Sequence, residues 1–415
     1  MSDWLLSLGI VLAASTQLSV GALEVGPGEI LLVAWLIYVF ARSAVSVPAA
    51  TSFAVKQLIV FWSLFVTSLA IGAMVGMAIE PYFDVPGILH DIVAYSFILC
   101  LGIAMALVAR ERARRERLVW LVVVLGCGSL GLQLLQANGA LPLNANIDPW
   151  FFDRLRGWSN DPNQLGFFCA VITLLAIHLA DTAADFRWRV VAVAAALPGL
   201  VAGILSKSDS FNVAMVAAMC VFAVLKIVQW IGSADERTSV RARVVPLILS
   251  GLPVFALACL PFMPMALDRV QAHAEAMYYE DDQGDLRFAL WKESLEQGLN
   301  SGLLGFGPGP HLTLKSYKRP PPAKFEAHNA PLHLFTQGGF IAVLALVWLY
   351  FQSFLATLST RAAGLAALVC SLVVFGFFHF VLRHPVFWFG IVVSLLENTP
   401  APVRLDIRST LSARA

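Results

Sequence analysis

The feature that most constrains this chain is a series of long apolar runs that neither alternate nor break for turns. Uninterrupted runs of about 20 residues form membrane helices, whereas the strands of membrane barrels alternate over about 10. Twelve can be placed, near Trp4–Ala22, Glu29–Ala41, Gln57–Ile79, Asp91–Ala109, Leu118–Gln136, Gln164–Ala180, Val190–Leu205, Phe211–Ile231, Val244–Phe262, Gly338–Leu358, Ala362–Leu382 and Pro385–Leu396. Twelve crossings need roughly 240 residues, which fits a chain of 415 that is 59% hydrophobic and 13% charged. Its mean hydropathy of +0.76 excludes a soluble protein. The expected fold is all-α: a polytopic membrane protein with about 12 transmembrane helices and one larger outside loop containing short helices. The second and twelfth runs are short for a full crossing and are expected to tilt, lengthen into their flanks or re-enter.

Arginine placement orients the helices. Five arginines fall within the eight residues Arg110–Arg117, which are assigned to the cytoplasm. With twelve spans, Arg187, Arg189, Arg237, Arg241, Arg243, Arg361, Arg404, Arg408 and Arg414 fall on that same side. Met1 to Ala22 lacks a basic leading segment and carries Asp3, so it reads as a retained helix rather than a secretion signal. The chain divides into residues 1–262, nine helices interrupted by an outside loop at 137–163; residues 263–337, the large outside loop; residues 338–397, three more helices; and a cytoplasmic tail at 398–415.

A formal net charge of +1 argues against a nucleic-acid partner. All six cysteines lie inside expected spans and read as packing residues. No metal-binding or nucleotide-binding motif is present, so no metal or other cofactor is expected.

The chemistry-bearing residues gather outside. In the first loop Arg154 and Arg156 precede Asn160, Asp161, Pro162 and Asn163, a turn running into a helix. Guanidinium forks beside a helix N-terminus make an anion site, although arginines in such a place also anchor to lipid headgroups. In the second loop, residues Asp285–Gly298 have helical spacing and carry Arg287. Gly302, Gly305, Gly307 and Gly309 follow, and they either bring backbone N–H groups to an oxyanion or reverse the chain between packed helices. The loop ends in Glu326, His328 and Asn329 at the mouth of the tenth helix. There an imidazole suited to accepting a proton near neutral pH is flanked by groups that can orient it. Arg383 and His384 lie outside between the last two helices and are further candidates, whereas His379 reads as a hydrogen bonder between packed helices.

At these residues the chain resembles the O-antigen ligase and O-antigen polymerase superfamily of bacterial envelope glycosyltransferases. The resemblance rests on the order Arg287-x-x-x-Trp291, Gly305-x-Gly307-x-Gly309, His328-Asn329 and Gly339, and on Arg154-x-x-Gly157 followed by Pro162-Asn163. Two positions depart from the family pattern: Ala342 stands where a glycine is usual, and Ser206-Lys207-Ser208-Asp209 ends in aspartate where arginine is usual. The resemblance implies metal-independent transfer of a glycan from undecaprenyl diphosphate to an acceptor hydroxyl, that of a lipid A core for a ligase. The protein would lie in the bacterial inner membrane with its active site facing the periplasm. His328 would be the base. Arg154, Arg156, Arg287, Asn163, Asn329, Lys207, Asp209 and Arg383 would bind substrate.

Two rivals remain open. A polymerase shares the donor chemistry, passes the glycan to another lipid-linked or exopolysaccharide repeat, and would bring a chain-length regulator as partner. A transporter or flippase of lipid-linked sugars also fits twelve spans, but it predicts polar groups at mid-membrane and short loops.

Overall fold

The computed structural model describes residues 2–19, 25–43, 52–141, 147–232, 282–313 and 324–398. They form twelve helices: α1 Ser2–Leu12, α2 Pro27–Ser43, α3 Phe53–Ile79, α4 Val85–Val108, α5 Arg112–Ala137, α6 Pro162–Thr182, α7 Phe186–Leu205, α8 Asp209–Gly232, α9 Asp282–Asn300, α10 Ala330–Ser359, α11 Ala363–Phe378 and α12 Pro385–Leu396. A 3-10 turn at Thr16–Leu18 follows α1, and a small hairpin of β1 Trp150–Phe151 and β2 Arg154–Leu155 stands between α5 and α6. Among the described residues seven helices, α3 to α8 and α10, are long and apolar enough to cross a membrane.

Composition explains the packing. α6 and α12 are apolar all round and form the centre, with every residue of α12 buried. Twelve residues are too few to cross a bilayer alone, but α12 is sheathed by α3, α4, α10 and α11. α7 turns Ala192, Ala195, Gly199, Ala202 and Gly203 toward its neighbours, and these small side chains bring its backbone against α6. The outer faces carry Met74, Met77, Val93 and Val216, each about two-thirds exposed, a belt that belongs against lipid.

The two ends of the bundle differ. At one end Arg114 pairs with Asp3, Arg115 with Glu397, and Lys226 with Asp181. The basic segment of α5 and the α10–α11 turn at Arg361 meet there, so arginines assigned to one side by sequence do share one end. At the other end the α3–α4 connection meets His311 and Lys324, the α11–α12 connection meets Glu326, and the α5–α6 and α7–α8 connections meet each other.

Several boundaries differ from expectation. α1 stops at Leu12, short of Ala22, because Ser15 leaves helical geometry and Thr16 and Gln17 bind the α5–α6 connection instead. α10 begins at Ala330 rather than Gly338: Asn329 caps it, and the chain breaks within it at Gly339 (φ 65°, ψ −156°) before continuing to Ser359. α11 ends at Phe378 instead of Leu382, capped at His379. The run Val244–Phe262 and much of the large loop, residues 263–281 and 314–323, lie outside the described residues.

Candidate functional site

The expected site residues all sit at the end opposite the arginine-rich one, held by three local constructions. The first is the α5–α6 connection. Asp161 caps α6 by accepting from the Asn163 N–H at 2.6 Å, with Pro162 in the first turn. Asn163 Oδ1 accepts from Arg154 (3.0 Å) and from Ser208 Oγ (2.9 Å), while Arg154 Nε donates to the Ser206 carbonyl at 3.2 Å. Arg154 is thus aimed by neutral partners and has no ion pair among the described residues, although its charge is felt by Asp153. Arg156, by contrast, is paired with Asp148 at 3.1 Å and stacked over Phe151, and Lys207 is paired with Asp153. Asp209 is the exposed first residue of α8, where a carboxylate favours the helix dipole. Gln17, which sequence reasoning passed over, donates to the carbonyls of Asp148, Gly157 and Ser159 and fastens this connection to the first helix.

The second construction is the mouth of α10. His328 is exposed and left-handed (φ 48°). Asn329 uses both ends of its amide on the protein: Oδ1 caps the Leu332 N–H and Nδ2 donates to the Phe377 carbonyl. It therefore pins the turn that carries His328. Partial enclosure by protein lowers the pKa of His328; Glu326 works against this, Arg287 reinforces it, and Asp161 opposes it. His379 lies in the same field, pushed down by burial and then by Arg287, and it meets Ser210 Oγ at 3.2 Å across α11 and α8. Arg287, on α9, has no hydrogen-bond or ion-pair partner among the described residues. Arg287, His328, His379 and Asp161 thus share one electrostatic neighbourhood, drawn from four separate stretches of chain.

The third is a buried polar network beneath that surface. Asp91 is fully buried in α4 and accepts from the Gly309 N–H (2.9 Å) and from Gln337 (2.6 Å), and it is paired with Arg383 at 2.5 Å. Arg383 also holds Glu326 at 2.6 Å and lies over Phe380. Tyr95 donates to Gln337 at 2.6 Å, and His333 adjoins the same amide. Arg383 is therefore shared between two carboxylates, and Glu326 reaches His328 through its field rather than by a hydrogen bond. Breaking a buried ion pair by removing one partner costs about 3–5 kcal/mol. Arg383→Ala is expected to lower the thermal unfolding midpoint in detergent accordingly; an unchanged midpoint with lost activity would instead mark Arg383 as a substrate contact.

The glycines serve this network. The N–H groups of Gly305, Gly307 and Gly309 are taken by Ser301 Oγ, the Gln337 carbonyl and Asp91. Of the two readings of this loop, the structure supports a packed reversal, since none of the three donors is left for an oxyanion. The loop enters the break in α10: Phe306 N–H binds the Thr336 carbonyl and Phe340 N–H binds the Leu303 carbonyl. Backbone groups freed by the broken helix are thereby satisfied within protein. Glu80, paired with His311 and Lys324, fastens both sides of the loop to the end of α3. No group of three His, Cys, Asp or Glu side chains stands close enough to hold a metal among the described residues.

Residues 191–347 match the family model described as O-antigen ligase. The match runs from α7 into α10 and takes in Lys207, Asp209, Arg287, His328, Asn329 and Gly339; Arg154, Arg156, Asn163 and Arg383 lie outside it. No curated protein matches the chain.

Proposed function

We propose that this chain, a multi-pass membrane protein whose residues 191–347 carry the O-antigen ligase domain, transfers a glycan from a polyprenyl diphosphate to an acceptor hydroxyl, the lipid A core. What supports this reading is that two cations without a carboxylate pair among the described residues, Arg154 and Arg287, lie at the same end of an apolar bundle as His328, whose pKa is lowered. A cavity of about 420 Å³ between α8, α10 and α11 begins at Pro331, three residues from His328, and is lined by Val343, Val347, Tyr350, Phe354 and Val374. A polyprenyl tail lies there with its diphosphate at the helix ends.

In the reaction the acceptor oxygen attacks the anomeric carbon, the bond from that carbon to the phosphate oxygen breaks, and polyprenyl diphosphate leaves. His328 takes the acceptor's proton. Arg154 and Arg287 offset the charge that develops on the departing diphosphate. Asn163 and Asn329 act one step back by fixing Arg154 and the His328 turn. Arg156, Lys207 and Arg383, each already paired with a carboxylate, shape the site without donating to the diphosphate, and Asp209 supports the start of α8. The active end faces the periplasm of the bacterial inner membrane by the positive-inside rule.

Arg287→Ala is expected to reduce kcat/KM for the lipid-linked donor by roughly 10²–10³-fold. Arg287→Lys should also be impaired, because an ammonium cannot form the bidentate fork; near-wild-type kinetics would make Arg287 structural. The test of the whole reading is incubation of purified protein in detergent with a lipid-linked glycan and a lipid A core acceptor. Glycan joined to the core supports a ligase, and longer lipid-linked glycan would indicate a polymerase. No conversion by well-folded protein would favour a transporter, which needs two compartments.

A further inference from the structure

At the end of the bundle away from the proposed active site lies a cavity of about 880 Å³ between α4, α5, α6, α10 and α12. Its rim is basic. Arg112, Arg114 and Arg115 spend their charges on Glu116, Asp3 and Glu397. Arg110 and Arg361, also on the rim, have no carboxylate partner among the described residues. Deeper in, the wall turns apolar with the buried Val119 and Val393, and Leu107 adds an exposed apolar edge.

Two details mark this as more than a gap between helix ends. His178 of α6 lines the cavity and is 8% exposed, and its Nδ1 is enclosed without a hydrogen-bond partner. Its Nε2 makes no hydrogen bond among the described residues, so the ring has a nitrogen to offer a ligand. Arg361 also holds an unusual backbone. It closes α10 with a left-handed residue (φ 59°), and the Ala362 N–H reaches back to the Thr357 carbonyl, a helix ending that glycine makes at least strain. The left-handed backbone costs strain that glycine would avoid, so the arginine side chain is the part of this residue that the helix ending does not need.

We infer that this cavity binds an anionic phospholipid, with the phosphate between Arg110, Arg361 and His178 and the first methylenes of the acyl chains against Leu107, Val119 and Val393. The combination of basic rim and apolar depth selects an amphiphile over a free anion, which needs no apolar wall. Basic pockets between helices on the cytoplasmic side are suited to such headgroups, and by the arginine rule this is that side.

Full-length protein would be reconstituted in nanodiscs of phosphatidylcholine with or without cardiolipin, and the retained lipids counted by native mass spectrometry. Preferential retention of cardiolipin is expected. Arg361→Gly relieves the left-handed strain, so its thermal midpoint in phosphatidylcholine should not fall, yet its cardiolipin preference should drop about fivefold, the worth of one arginine near an anionic surface. Arg110→Ala should lose a similar factor. Equal retention of both lipids, or preference unchanged in both variants, would overturn the inference. So would displacement of cardiolipin by millimolar inorganic phosphate, which would mark a site for a soluble anion. None of these readouts depends on glycan transfer, so failure here leaves the proposed function standing, and the converse.

Discussion

His328→Asn is expected to cut glycan transfer severely while the protein folds and inserts as before. The choice of asparagine follows from the backbone: His328 is left-handed, a conformation that asparagine tolerates better than alanine. The variant therefore keeps the turn pinned by Asn329 and removes only the base. Loss of a general base costs roughly 10²–10⁴-fold, measured as glycan transferred per protein in detergent with the thermal midpoint as control. Normal transfer by a well-folded variant would remove His328 from the mechanism. The pH profile gives a second reading. On the proposed mechanism the neutral imidazole is the active form, so the rate is expected to fall as pH drops through the pKa of His328. Enclosure and Arg287 lower that pKa, which places the acid limb below the ordinary imidazole value of about 6.5. Arg287→Ala removes a nearby positive charge and should move the limb toward higher pH, on top of weakening the donor interaction.

Gly339→Ala is expected to be the most damaging single methyl in the described part of the chain. Its φ of 65° with ψ of −156° lies in a region open essentially to glycine alone. An added Cβ would overlap the Leu303 carbonyl oxygen and crowd Leu304. Strain of about 1–3 kcal/mol and overpacking of similar size combine to about 4 kcal/mol, a large share of a typical stability of 5–15 kcal/mol. Two controls isolate the cause. Gly302 is also left-handed but has open space around its Cβ position, so Gly302→Ala should lose about 1 kcal/mol. Gly128 sits in α5 with nothing near, and Gly128→Ala should be neutral or slightly stabilising. Thermal midpoints in one detergent rank the three; a Gly339→Ala midpoint as high as that of Gly302→Ala would refute the interlock between the glycine loop and the broken helix.

That interlock also shows where sequence reading ran out. Asn329 as cap and Pro331 in the first turn are helix-start signals, yet the pair Gly338-Gly339 drew the boundary eight residues late. Hydropathy cannot distinguish a helix that starts after a glycine from one that breaks at it. Lys207 is expected from the sequence to bind substrate; Asp153, which pairs with it, arrives on the hairpin turn from fifty-four residues earlier. Asp91 begins an expected span and Arg383 lies between the last two, but nothing local joins them to each other or to Gln337 and Gly309.

What the sequence by itself determined is the membrane-spanning helical class, the arginine-rich end, and the residue types available for chemistry. These follow from side-chain transfer energies and charge, which act residue by residue and survive any arrangement of the helices. Only the tertiary structure decided which cations are compensated. Arg154, Arg156, Lys207 and Arg383 are alike as cations in the sequence, but a carboxylate pairs with the last three, whereas among the described residues the first bonds to neutral groups. That difference is set by distances of a few ångströms between segments far apart in the chain, where charges interact strongly because water is excluded.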